Sequence, residues 1–224
     1  MVLSVKADLE GEAAFSLVKR VREIAEAYYP GQWLLAGEGV STCDMRETVV
    51  SDMTKVNLIA IAAVFIVLLF SFKSLSLPVI LVLAIEAGIW VNTAIPYFTN
   101  QSVFYISYLI IFSIQLGATV DYAILFTDRY IEFRRSLQKK QAIVQTVSSV
   151  TVSILTSGLA LTVVGFLMGY ISTHGLLSQL GFFLGRGALL SMGIVLFALP
   201  GMLYLLDGLI ERTTKNAVFV KKGE

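Results

Sequence analysis

From residue 56 onward the chain is a succession of long apolar runs separated by short polar breaks; before residue 56 it is not. The runs cover residues 56–72, 77–95, 103–126, 146–168 and 187–206. A helix needs about 20 apolar residues to cross a bilayer, and only a helix satisfies its own backbone there. The pattern therefore predicts five membrane-spanning helices. Lys73-Ser74 breaks the first run from the second, and the fifth is expected to begin after Arg186. Residues 1–50 have a different period. Val2–Ala7 alternates as a strand does. Glu12–Tyr29 places Phe15, Val18, Val21, Ile24 and Ala25 at helical spacing with charges between them. Pro30-Gly31 ends that helix, and Trp33-Leu-Leu-Ala-Gly37 reads as a second strand. A β-α-β unit this small cannot bury an adequate core alone, so it is expected to be the last piece of a larger domain. The fold class is thus mainly α: a five-helix bundle over residues 51–210, preceded by a small β-α-β fragment at 1–50 and followed by a basic tail at 211–224.

Composition agrees with the pattern. The chain is 56% hydrophobic, with a mean hydropathy of +0.78, too apolar for an ordinary soluble domain of this size. A net charge of +1 gives no reason to expect nucleic acid. Met1 is not followed by a basic and then apolar leader, so no signal peptide is expected. The position of the charges says more than their sum. Arg129, Arg134, Arg135, Lys139 and Lys140 lie after the third run. Arg212, Lys215, Lys221 and Lys222 lie in the tail, and Lys73 follows the first run. The breaks at 96–101 and 169–179 carry no Lys or Arg. The positive-inside rule then puts the tail in the cytoplasm and residues 1–50 outside, in the cell membrane.

Charge inside the apolar runs marks the candidate chemistry. An acid in hydrocarbon costs on the order of 3 kcal/mol or more, so it normally faces a protein interior and works. Asp121 lies in the third run, and Gln115 and Thr119 share a helical face with Tyr122. Gly117 and Ala118 leave room beside the acid for a neighbouring helix. The alternative for Asp121 is a carboxylate that snorkels toward Arg129 or the interface, and Tyr122 is either a hydrogen-bond donor to a carboxylate or packed aromatic surface. Glu86, nine residues from either end of the second run, is expected near the midplane, with Asp121 nearer the inner surface. Glu86 is either a coupling group or a neutral acid bonded to a neighbour. Asn92 reads as helix–helix glue, and Arg186 as a base that snorkels at the outer interface. Ser149, Ser153 and Ser157 recur every four residues with Thr156 and Ala160 beside them. That spacing suits close helix packing, or else Ser153, Thr156 and Ser157 line a polar path together with Gln115 and Thr119.

Several chemistries are not written here. One cysteine, Cys43, and one histidine, His174, give no basis for a metal site. There is no phosphate loop, no H-E-x-x-H, no G-x-S-x-G and no Cys-x-x-Cys, so neither a cofactor nor an enzymatic activity is expected.

Gly117-Ala-Thr-Val-Asp-Tyr-Ala-Ile-Leu followed by Arg129-Tyr-Ile-Glu-Phe-Arg resembles the Gly-x-x-x-Asp-Tyr signature of the MMPL branch of the RND exporters. Phe70-Ser-Phe-Lys-Ser-Leu-Ser-Leu-Pro78, Leu180-Gly-x-x-Leu-Gly-Arg-Gly-Ala-Leu-Leu-Ser191 and Leu199-Pro-Gly-Met-Leu203 are similar to further stretches of that family, in the same order. The resemblance implies the end of an extracytoplasmic porter domain and the five helices that follow it in one half of the transporter, with the C-terminal half favoured. It implies export of a lipid-like, amphipathic or drug-like substrate driven by protons, with Asp121 as coupling acid and Tyr122 as its hydrogen-bond partner. Glu86 matches no family coupling residue and rests on burial alone. The expected partners are the bilayer, protons, an amphipathic substrate, and either the other half of the transporter or further copies of the chain. The rival reading is a lipid-sensing or scaffold protein of the sterol-sensing type, in which Asp121 is structural.

Overall fold

The structure is a computed structural model that describes residues 11–99, 103–214 and 219. All its regular elements among these residues are helical: α1 (Glu12–Tyr28), α2 (Glu38–Phe72), α3 (Ser76–Phe98), α4 (Tyr105–Arg134), α5 (Lys139–Ile171), α6 (Gly175–Gly193), a π-helical turn (Ile194–Ala198) and α7 (Leu199–Thr213). The chain divides into two compact units, Met1–Val56 and Asn57–Glu224.

In the first unit α1 turns Ala14 and Val18 inward and leaves Ile24 and Tyr28 outside. Arg22 meets Asp44 and Glu47, across the start of α2. Hydrogen bonding to Asp44 holds its guanidinium pKa above the ordinary arginine value against the opposing effect of burial. The β-α-β expectation fails where it can be checked. Residues 33–36 form no strand and Leu34 is 92% exposed; a strand needs a neighbour to accept its ladder bonds, and none occurs among the described residues. Val2–Ala7 lies outside the described residues. The polar stretch before residue 56 belongs to helix α2.

Among the described residues five helices are long and apolar enough to cross a membrane, counting α6, the π turn and α7 as one. The helices are longer than the apolar runs. Polar residues within a turn or two of either end still satisfy their backbone helically, so α4 continues past Arg129 to Arg134, and α5 begins at Lys139. The fifth helix begins at Gly175, not after Arg186. Pro200 explains the π turn before α7. A proline has no N–H and its ring displaces the carbonyl four residues back, here Leu196 inside that turn.

The tightest seam joins α5 to α6. A Cβ on Gly165 would overlap the backbone of Gly185, and one on Gly181 the backbone of Gly169. Small residues four apart let two helix backbones touch, which is how helices associate in lipid. The buried face of α5 is Ala142, Thr146, Val150, Ile154, Gly158, Thr162, Gly165 and Gly169. The expected packing stripe is therefore corrected. Ser149, Ser153, Thr156, Ser157 and Ala160 are exposed, and Ser149, Thr156 and Ser157 donate to their own helix backbone. Gly165 and Gly169 lie eight and twelve residues beyond Ser157, and because a step of four overshoots the 3.6-residue turn, they come round to the buried face; a missing side chain permits closer approach than a serine. Only 11% of the apolar window of α2 is buried within the chain, so that helix presents most of its surface to surroundings other than this bundle.

Candidate functional site

Two polar centres lie within the bundle, and one acid lies on its outside. Gln115 and Thr119 are buried on α4, where they meet α3 and α6. Asn92 Nδ2 donates to Gln115 Oε1 at 2.8 Å and to the Phe183 carbonyl at 3.1 Å. The Thr119 hydroxyl donates to the Gln115 carbonyl at 2.7 Å and pairs with Ser191 Oγ at 2.6 Å. Gly187 is needed here: a Cβ would come within 2.9 Å of both amide side chains. Asn92, as the sequence suggests, joins helices: it bonds α3 to both α4 and α6. Ser191, which the sequence does not set apart, closes the cluster.

Asp121 and Tyr122 point different ways. Neighbours on a helix differ by about 100°, so a buried Tyr122 turns Asp121 outward. Tyr122 belongs to the main apolar core, and Asp121 is exposed. Asp121 forms no hydrogen bond or ion pair among the described residues. Ser113, Gly117 and Asp121 recur every four residues on this exposed face, and nothing lies within 4 Å of where a Gly117 Cβ would be. The space kept beside the acid therefore opens away from the bundle.

Glu86 is inside, 6% exposed, with both carboxyl oxygens unbonded among the described residues. The Asn92–Gln115 contact fixes the register of α3 against α4. Glu86 lies six residues toward the start of α3, and Asp121 six residues toward the end of the antiparallel α4. Each is about 9 Å from that contact along its helix, in the same direction. The two acids are thus level, which corrects the expectation of different depths. Counting from the edges of apolar runs misplaced them because α4 extends beyond its run.

The second centre closes the end where arginine and lysine collect. Arg134 grips Asp207 with both faces of the fork, Nε to Oδ1 and Nη2 to Oδ2, each at 3.0 Å. Tyr130 donates to the same Oδ1 at 2.5 Å, and Arg134 Nη1 reaches the Leu137 carbonyl at 3.1 Å. Phe219 lies against the guanidinium at 5.1 Å. Arg134 was expected in the basic loop after the third span; it is instead the last residue of α4 and is 5% exposed. Asp207 was not singled out at all. The rule that selected Glu86 and Asp121, an acid inside an apolar run, would have found it had the fifth helix not been ended at residue 206.

Arg186 does not pair with Glu86. It lies eleven residues inside α6, with Nε to the Phe182 carbonyl at 3.3 Å and its guanidinium 4.9 Å from the Phe183 ring. A start at Gly175 takes it away from the helix end where it was expected to snorkel. Ser153, Thr156 and Ser157 do not join Gln115 and Thr119. No group of three or more His, Cys, Asp or Glu suited to a metal occurs among the described residues.

Five apolar helices, a glycine-packed hairpin and acids set within the spans define a multi-pass membrane protein of transporter type. The match to a known family is made over residues 1–218, and the chain belongs to the MMPL family. No curated protein matches it.

Proposed function

We propose that the chain is one half of a proton-driven exporter of lipid-like or amphipathic substrates, and that it works with a second half or a second copy facing α4. The observation that carries this reading is the outward Asp121. An acid level with Glu86, deep within a span, is too costly to leave in lipid. The exposed stripe Ser113–Gly117–Asp121 beside open space suits another helix far better than acyl chains. Asp121 is then the coupling acid. Tyr122, about 100° round the helix, holds α4 in the core, so a change at Asp121 moves a packed helix. Protonation removes a charge at a low-dielectric contact, and such a difference can bias two arrangements of a bundle. Glu86 is the second, weaker coupling candidate. The basic end is placed in the cytoplasm of a cell-membrane protein.

The test is export of an amphipathic fluorescent dye by cells carrying the intact gene. Asp121→Asn, with normal surface expression, is expected to abolish energised export and leave dye binding in place. Export that survives the substitution sinks the coupling role and favours the lipid-sensing reading.

A further inference from the structure

Arg186 is a cation in an apolar span whose charge the chain leaves unmet. Its Nε donates to the Phe182 carbonyl, one turn back on its own helix. Its two terminal nitrogens, Nη1 and Nη2, make no hydrogen bond or ion pair with the described residues. The side chain is only partly buried and neither nitrogen is enclosed, so the fork opens out of the bundle. An arginine held in hydrocarbon costs on the order of 3 kcal/mol, and such a group is normally paired.

Its depth says which partner is in reach. Arg186 and Asp207 stand 21 residues apart on one span, about 30 Å, the thickness of the hydrocarbon layer. Asp207 belongs to the ion pair at the basic end, so Arg186 lies at the opposite edge, and the turns of α6 before it project beyond. Its side chain leans further that way, toward Phe182, as helical side chains do. Tyr170, 77% exposed, meets the Phe182 ring edge-on at 4.9 Å, and an exposed tyrosine suits the headgroup level. The acids are elsewhere. Gly187 lies against the Asn92–Gln115 contact, and Glu86 and Asp121 are about 9 Å from that contact toward the basic end. A second copy in the same membrane would carry its Asp121 at that deeper level too.

From Arg186 toward the basic end the same face of the helix is apolar. Leu189, Leu190, Gly193 and Phe197 follow within about 60° of it. Leu189 is exposed, Phe197 is 83% exposed, and nothing lies within 4 Å of where a Gly193 Cβ would be. The glycine leaves an open notch in this row about 10 Å from Arg186 along the axis. Head and tail chemistry thus succeed one another in the order of a lipid: a free cationic fork at the edge of the layer, then an apolar track with a notch leading inward.

We propose that this face binds one phospholipid of the leaflet opposite the basic end, its phosphate held by Arg186 and an acyl chain lying from Leu189 over Gly193 to Phe197. The guanidinium fork matches two phosphate oxygens. An anionic headgroup binds best, because the ammonium of a zwitterionic one opposes the arginine. The site is separate from the outward Asp121 and does not rest on proton coupling.

Tryptophan quenching tests it. The full chain with Trp33→Phe, Trp90→Phe and Phe197→Trp is placed in phosphatidylcholine vesicles that contain phosphatidylglycerol brominated along its acyl chains. Brominated phosphatidylglycerol is expected to quench residue 197 with about fivefold higher apparent affinity than equally brominated phosphatidylcholine. Arg186→Gln is expected to abolish that preference, and Arg186→Lys to keep part of it. Gly193→Leu fills the notch and is expected to weaken quenching by both lipids; with Arg186→Lys it carries the test if Arg186→Gln does not fold. Equal quenching by the two lipids in the parent overturns the proposal, and so does a preference that survives Arg186→Gln. A residue 197 that neither brominated lipid reaches overturns it as well, since protein, a second half or a second copy, would then cover the face.

Discussion

Asp207 is the residue whose removal should be felt most. Its carboxylate accepts from both Tyr130 and the forked Arg134, and all three are buried. Taking away one member of a buried ion pair strands the other charge and costs about 3–5 kcal/mol. Asp207→Ala is therefore expected to lower the thermal midpoint of the detergent-solubilised chain sharply. Tyr130→Phe keeps the ion pair and removes one hydrogen bond to a charged group, for a loss of about 1–2 kcal/mol. A scan of both variants checks the order; equal, small losses would show that the pair is not held as described. Asp121→Asn should do the opposite of Asp207→Ala, leaving the midpoint almost unchanged while ending export. The stability of the isolated chain does not depend on an acid that points out of it.

Helix packing makes a second kind of prediction. Gly165→Ala and Gly181→Ala place a methyl group against facing backbone, which cannot turn aside as a side chain can. Each is expected to cost about 1–3 kcal/mol or to part α5 from α6. Gly193→Ala and Gly201→Ala meet nothing within 4 Å and should be neutral or slightly stabilising, because alanine is the better helix former. Thermal denaturation of the four variants separates the two classes. The sequence shows both kinds of glycine alike. Gly165 and Gly169 pair with Gly185 and Gly181 only because the turn at residues 172–174 brings α6 back antiparallel along α5. The serine stripe shows the same ambiguity from the other side, since its spacing suits packing but the register turned it outward.

For the molecule as a whole, the charges predict which end faces the cytoplasm. Ser136 is exposed in the turn between α4 and α5, beside the arginines and lysines. In a Cys43→Ser background, Ser136→Cys is expected to react with an impermeant maleimide only after the cytoplasmic face is opened. Labelling from outside in intact cells would reverse the topology. At this scale too, the thinly covered α2 and the outward acid of α4 are the surfaces that the proposed second half or second copy would cover.

The sequence by itself determined the class of the protein: five spans, their order, the basic end, the acids within the spans and the family. These follow from local rules, because hydrocarbon admits only long apolar helices and makes every buried charge conspicuous. Glu86, Asp121, Gln115 and Thr119 were legible for that reason. Tertiary structure alone decided which of them meet. Asn92 found Gln115, Ser191 found Thr119, and Arg134 found Asp207 across 73 residues of chain. The same packing set Glu86 level with Asp121, put one inside and the other outside, and replaced the second expected strand at residues 33–37 with an unpaired segment. Depth and facing depend on where each helix begins and how its neighbour is staggered against it. Those are properties of pairs of helices, and a hydropathy pattern, which treats each run alone, does not contain them.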